Sequence, residues 1–358
     1  MATLHDYAGA IHLHSAYSHD GRIPARKIIE AARKREIDFI MLTDHMSLRA
    51  REDGLEGWHG KTLLIVGQEI APRFNHYLAF GLDEAVMIPE DDIATPPQVY
   101  IDAVNAMGGI GFIAHPDHKG AKLFHVKHYP WLDWSAKGYT GMGIWDFMTD
   151  WQSSLTGRLR SLGSYVCPAF FLNGPREETL KRWDLLNEVS PIVGIGELDN
   201  HATIRRVFGV NFSVFPFRKA LQFVRTHVLL NAPLMGDGKA DIASLLDALR
   251  RGRAYVSQEY FRPARGFSYT VSDGSAATTM GDEFILKGEA SLNVDLPAPA
   301  QIRLVKNGLL FHEAIGKSLS LQIHREGIFR VEACLSVFGK YRPWIFSNPI
   351  YVRKPATI

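Results

Sequence analysis

Cysteine is almost missing from this sequence: Cys167 and Cys334 stand far apart among 358 residues. That excludes a disulfide framework, points to reduced thiols in a reducing compartment, and argues against a closed, cysteine-built structural zinc site. Long apolar runs are missing too. No stretch approaches the roughly 20 apolar residues that span a bilayer. Met1-Ala2-Thr3-Leu4-His5-Asp6-Tyr7 lacks the basic start and apolar run of a secretory signal. The expectation is a cytoplasmic protein without a membrane partner. Charge of one sign is not in excess either: 40 basic residues face 38 acidic ones. Such balance gives no reason to expect nucleic acid as the main partner. Repeats and low-complexity tracts are likewise not found. What is present is 46% hydrophobic residues, enough for one large domain or two to three ordinary ones, and 15 histidines, many just after apolar runs.

Strand-like and helix-like stretches alternate up to about residue 260. The patterns predict strands at Gly9–Ser15, Phe39–Leu42, Leu63–Val66, His76–Phe80, Gly111–Ala114, Met142–Trp145 and Ile192–Ile195. Helices are predicted at Pro24–Arg35, from Thr95 to Met107, at Glu177–Glu188 and at Asp241–Arg251. In the first of these Ile28, Ile29 and Ala32 make one stripe. Strand, helix, strand with short links implies parallel strands and crossover helices, with chemistry at the carboxyl ends of the strands. After about residue 262 the helical stripes stop. Runs such as Ala290–Leu296 and Phe329–Leu335 are β-rich, and Asn307-Gly308 is a hairpin turn signal. A small antiparallel β domain without a catalytic role is expected there, as a sandwich.

The histidines and carboxylates follow this frame. His12 and His14 alternate with Leu13, so on a strand both imidazoles face one way and can grip one metal ion. His45, Glu69, His115 and Asp199 end later apolar runs.

In order, the groups are His12-Leu13-His14-Ser15…Ser18-His19-Asp20-Gly21, Thr43-Asp44-His45, Gly67-Gln68-Glu69, Ala114-His115-Pro116 and Asp199-Asn200-His201. They resemble the successive motifs of the PHP family, the polymerase and histidinol phosphatase metallohydrolases. The tail Leu249–Ser257 leading into a β domain resembles the branch that includes carbaryl-hydrolase-like enzymes. The resemblance implies an α/β fold: a distorted (β/α)7 barrel over residues 1–260, followed by an all-β sandwich over 261–358. It implies two or three divalent ions, with Zn, Mn or Fe suited to the nitrogen and oxygen donors. It places His12, His14, Glu69 and Asp199 on the first ion. Glu69, His76 and His115 take the second, and Asp20, His45 and His201 the third. His12, His14, Glu69, His115 and Asp199 then carry the catalysis. His19 rivals Asp20, and Glu197 competes with Asp199. Asp44 is expected to support a ligand histidine through hydrogen bonds.

The reaction expected from such a centre is metal-assisted hydrolysis by a bridging hydroxide, the pKa of water falling from 15.7 toward about 7. A phosphoesterase acting on a small anionic substrate is the leading reading. A carbamate or carboxylic ester hydrolase and a non-catalytic binding module are the alternatives. Arg49, Arg73, His118 and Lys119 are candidates to hold the substrate. Trp145, Phe147 and Trp151 either wall a pocket or pack in the core, and Cys167 is expected as buried packing.

Overall fold

The structure is a computed structural model that describes residues 4–89, 91–207 and 210–355. The chain is mixed α/β. Its first part runs β1 (His5–Leu13), α1 (Ala25–Lys34), β2 (Phe39–His45), α2 (Arg49–Glu52), β3 (Gly57–His59), β4 (Thr62–Ile70), β5 (Tyr77–Phe80), α3 (Pro97–Ala106) and β6 (Ile110–Ile113). It continues with β7 (Gly141–Asp146), α4 (Phe147–Ser153), α5 (Arg158–Val166), α6 (Glu177–Val189), β8 (Val193–Glu197), β9 (Ile204–Val207), β10 (Val210–Ser213), α7 (Phe217–Ala220), β11 (Val224–Leu230), α8 (Gly238–Arg250) and β12 (Ala254–Gln258). The apolar runs become strands because they are buried on both faces: every residue of β4 is buried. On α1, the stripe of Ile28, Ile29 and Ala32, with Ala25, is the buried face, and Arg33 and Lys34 complement the helix dipole in the last turn.

Parallel pairing joins β1 to β2, β2 to β4, β6 to β7 and β7 to β8. The expectation of parallel strands alone is corrected: β3 is antiparallel to β4, and β9 to β10. β5 is antiparallel to both β4 and β6, because the link from Ile70 to Tyr77 is too short for a crossover helix. β11, which the sequence pattern did not single out, lies antiparallel to β1 and to β12. The end of β8 comes back to the end of β1: the Leu198 amide donates to the Ile11 carbonyl at 3.0 Å, and the His14 amide to the Asn200 carbonyl at 3.2 Å.

The remaining strands are β13 (Ser268–Ser272), β14 (Ala277–Thr279), β15 (Glu283–Ile285), β16 (Ala290–Lys306), β17 (Leu309–Ile323), β18 (Gly327–Val337), β19 (Lys340–Ser347) and β20 (Ile350–Arg353). They surround an apolar cluster of their own, with Tyr269, Leu292, Ile302, Val331 and Trp344 at its heart. Asn307 and Gly308 form the β16–β17 turn with φ of 48° and 74°, the left-handed pair that a two-residue hairpin demands. The expectation of antiparallel pairing fails once, where β15 runs parallel to β20. Register slips between Asp295 and Ala300, across Pro297 and Pro299, which cannot donate to a ladder.

The C-terminal strands are bonded to the first part of the chain. β19 pairs with β12. The buried Asn348 side chain accepts from the Gly194 amide at 2.7 Å and donates to the carbonyls of Gly194 (2.9 Å) and Ala254 (2.8 Å). Arg330 makes a two-pronged ion pair with Asp184 on α6, at 2.7 and 2.8 Å.

Candidate metal centre

The side chains singled out in the sequence meet at one rim, where β1, β2, β4, β6 and β8 end and β5 begins. His76 stands just before its strand, whereas the others stand at or near the ends of theirs. The reversed direction of β5 brings its start to the same rim. His12 does not sit in plain alternation. The β1–β2 register shifts between Ile11 and Leu13, and His12 has φ of 69°, as a bulge residue does. His115 (φ 28°) and Asp199 (φ 46°) are also on left-handed backbone. Three non-glycine residues held this way at one rim form a local store of strain.

Glu69 is the hub. Its Oε2 lies 3.2 Å from His12 Nε2, 3.3 Å from His14 Nε2 and 3.2 Å from His45 Nδ1. Its Oε1 lies 2.8 Å from His76 Nδ1 and 3.3 Å from His115 Nε2. Asp199 Oδ1 is 3.5 Å from His12 Nε2 and 3.6 Å from both His14 Nε2 and His201 Nδ1. Asp20 Oδ2 is 3.1 Å from His201 Nε2 and 3.4 Å from His45 Nε2. Three groups could each hold an ion: His14, Asp20, His45 and His201; His12, Glu69 and His115; and His12, His14 and Asp199. Between His19 and Asp20, it is Asp20 that joins a group, while the His19 ring stacks on His45 at 5.1 Å.

His12, His14 and His76 are each aimed by the other ring nitrogen. His12 Nδ1 donates to Glu197 Oε2 at 2.8 Å, so Glu197 orients the His12 ring while Asp199 faces the cluster. Glu197 Oε1 also accepts the His115 amide at 3.0 Å. Room for that carboxylate exists because residue 143 is glycine: a Cβ there would lie 1.3 Å from Glu197 Oε1. His14 Nδ1 is 3.2 Å from Ser18 Oγ, which accepts the His45 amide at 2.9 Å and donates to Asp44 at 3.0 Å. Asp44 also takes the Ser15 amide and hydroxyl, at 2.6 and 2.7 Å. His76 Nε2 donates to the Pro72 carbonyl at 2.9 Å, which leaves the lone pair on Nδ1, facing Glu69. Carboxylate and carbonyl partners of this kind fix the tautomers that a metal-binding imidazole needs.

The electrostatics are those of a cluster built around positive charge. Burial drives the His12 imidazole down, but Glu69, Asp199 and Glu197 outweigh it and hold it well above its ordinary value. The same competition lifts His115 and His201 to about 9. Burial and the neighbouring His201 and His45 push His14 down to about 3. Glu69, despite burial, is held well below the carboxylate range by His12, His76 and His45. Buried His12 Nε2, His14 Nε2, His45 Nδ1, His115 Nδ1 and His201 Nε2 have no hydrogen-bond partner, although all but His115 Nδ1 stand within 3.6 Å of a carboxylate oxygen. Buried polar atoms are rarely left so. Unpartnered imidazole nitrogens interleaved with carboxylates fit divalent cations of the Zn, Mn or Fe type.

Asp146, at the end of β7, went unnoticed in the sequence. It caps α4 through the Thr149 amide, its Oδ1 is buried without a partner, and burial together with Asp199 and Glu197 pushes it up to about 7. It lines a cavity of about 30 Å³ with His115, Gly143 and Arg176, room for about one water. The signal was available, because Asp146 ends the apolar run Met142–Trp145 as the other candidates end theirs.

The candidate substrate residues are placed less uniformly. His118 is buried, 5.3 Å from the His115 ring, and accepts the Tyr129 amide. Arg73 covers the Phe74 and Tyr129 rings, and the Tyr129 ring lies tilted against His76 at 5.1 Å. Arg49 is exposed near Tyr17. Lys119 is exposed and pairs with Glu178 at 3.6 Å. Trp145, Phe147 and Trp151 are buried in the core, Phe147 stacking on Phe223 at 4.8 Å. Cys167, expected inside, is exposed at the end of α5.

Residues 10–88 match the family model of the PHP domain. That stretch contains His12, His14, Asp20, His45, Glu69 and His76; His115, Asp199 and His201 lie outside it. No curated protein matches the chain. Among solved structures, a candidate metal-dependent phosphoesterase from Bifidobacterium adolescentis is similar at 15% identity and TM-score 0.36, covering 57% of this chain and 92% of its own. An amidohydrolase from Chromobacterium violaceum with bound sulfate and no metal is similar at 14% and 0.31, covering 58% and 92%. Endonuclease Q, in complex with a 27-mer duplex carrying an abasic lesion, is similar at 12% and 0.37, covering 67% and 57%.

Proposed function

We propose that the chain is a PHP-type metal-dependent hydrolase, a phosphoesterase acting on a small anionic phosphorylated substrate. In this reading β1, β2, β4 to β8 and their helices make a distorted barrel through about residue 260, and the strands from 261 onward are an accessory β sandwich. One observation carries the proposal. Glu69 gathers five imidazoles contributed by residues 12 to 115, and several of their nitrogens have no other partner.

His12, His14, Glu69 and Asp199 would hold one ion, Glu69, His76 and His115 a second, and Asp20, His45 and His201 a third, with His14 close enough to serve there as well. When bound, such ions supply an activated water and neutralise charge on the substrate. The chain's own groups do the rest. Glu197 keeps the proton on His12 Nδ1, so that Nε2 presents its lone pair. Ser18 and Asp44 do the same for His14, and the Pro72 carbonyl for His76. Arg73, beside Tyr129 and near His76, is the cation best placed to meet an anionic substrate.

The test is turnover of an aryl phosphate with Mn²⁺ or Zn²⁺, beside an aryl ester and alongside metal analysis. Phosphate release that disappears in His12→Ala and Glu69→Ala supports the proposal. Activity that survives both substitutions and a chelator overturns it, as does an isolated chain holding less than one ion. Turnover of the ester alone would move the chemistry to carbamates or esters.

A further inference from the structure

At the opposite end of β1 from the candidate metals lies a second charged site. A cleft of about 510 Å³ is lined by Lys34, Arg35, Arg225, Arg265, His227 and Tyr260, with Ala8, Glu36 and Glu259 among its other walls. Ala8 and His12 are four residues apart on the strand, about 13 Å at 3.3 Å per residue. The two sites are therefore separate.

The carboxylates around the cleft are mostly taken. Asp6 accepts from His227 Nδ1 at 2.7 Å and from the Tyr255 hydroxyl at 2.7 Å. Glu259 accepts from Ser257, from the Ala264 amide and from His227 Nε2. Asp38 pairs with Arg265 and takes the Ala8 amide. Among the described residues Glu36, exposed at the rim, and Glu259 Oε2, turned toward Arg225 at 3.8 Å, remain.

The cations, in contrast, are held largely by carbonyls. Arg35 Nε donates to the Arg218 carbonyl at 2.8 Å, and Arg225 donates to the Leu221 carbonyl at 3.2 Å. The largely buried Arg225 reaches Glu259 only at 3.8 Å, and its Nε has no partner. Lys34 makes no ion pair among the described residues. Burial disfavours the Arg225 charge most; Glu259 and Asp38 favour it, and Arg265 and Arg35 oppose it. Crowded guanidinium groups that keep an N–H donor unmatched by any close acceptor, as Arg225 Nε is, can receive phosphate oxygens.

We propose that this cleft binds the phosphate group of a small molecule, gripped by Arg225 and Arg35 with Lys34 at the rim. Two sources share this chemistry: free inorganic phosphate, and a phosphate ester whose ring stacks on Tyr260. That ring is half-exposed and is itself stacked on Phe223 at 5.4 Å.

Isothermal titration of the full chain with inorganic phosphate and with adenosine 5′-monophosphate, at constant ionic strength, tests the proposal. Saturable binding is expected in wild type. It is also expected in Glu69→Ala, which removes the metal centre as a rival phosphate site. Arg225→Gln should weaken it at least tenfold. Because Arg225 is largely buried, the rim double variant Lys34→Gln/Arg35→Gln provides an independent arm with the same expected loss. Tighter nucleotide than phosphate binding that Tyr260→Ala equalises assigns the site to an ester; equal binding assigns it to free phosphate. No saturable heat, binding untouched by the rim variant, or binding lost in Glu69→Ala overturns the proposal.

Discussion

At the residue scale the candidate centre depends on side chains that touch no ion themselves. Glu197 is one. Replacing it with Gln removes the carboxylate that holds the His12 tautomer, and metal affinity should fall about 10- to 100-fold, read by competition titration with Zn²⁺. Gly143→Ala should reach the same end by a different route, since its methyl occupies the place of Glu197 Oε1. His227 offers a second residue-scale prediction. Burial works against its charge, but Asp6 and Glu259 lift it to about 9, whereas an unfolded imidazole titrates near 6.5. Its contribution to stability is therefore complete below pH 6.5 and drains away as the pH rises toward 9. His227→Gln should cost about 3 kcal/mol at pH 6 and flatten that decline, measured by urea unfolding across the range. Much of the centre was legible at this scale. The His12–His14 spacing led to the rim where the candidate side chains meet, although a bulge rather than simple alternation aims the pair. Two carboxylates at 197 and 199 cannot be told apart by spacing; which imidazole nitrogen each one meets decides it.

At the element scale the apolar runs and helical stripes were readable because burial on two faces, or on one stripe, leaves a pattern in the residues themselves. Strand direction was not. The reversal of β5 follows from the short link after β4, and it is what puts His76 at the rim. β11 escaped notice because Arg225, Thr226 and His227 interrupt its apolar run, each kept there by a buried partner of its own. The β16–β17 turn gives this scale its prediction. Gly308 has φ of 74°, and a Cβ there would approach Asp184 Cβ at 3.2 Å. Gly308→Ala should lower stability by about 1 kcal/mol and leave the metal content of the chain unchanged, measured by thermal unfolding beside elemental analysis.

At the scale of the whole molecule, the strands after residue 260 and the chain before them are coupled through Asn348, Arg330 and the β12–β19 ladder. Asn348→Ala would leave the buried Gly194 amide and carbonyl without their partners, at a cost of about 3 kcal/mol. Calorimetry should show one unfolding transition in both proteins, shifted downward in the variant. Two separated transitions in wild type would mean that the halves unfold independently. A histidine-rich rim in the first half could be read from the sequence, and a β-rich second half could too. Their mutual bonding could not, because an asparagine 154 positions from its glycine leaves no local trace.

Gly194 lies on β8, the strand that leads directly to Glu197 and Asp199, and its partner Asn348 comes 154 positions later. A ribosome has therefore to translate 154 further codons after Gly194 before that strand can be locked. A chain cut short between His201 and Asn348 would keep every candidate metal-holding side chain and lose the splint beneath Glu197 and Asp199.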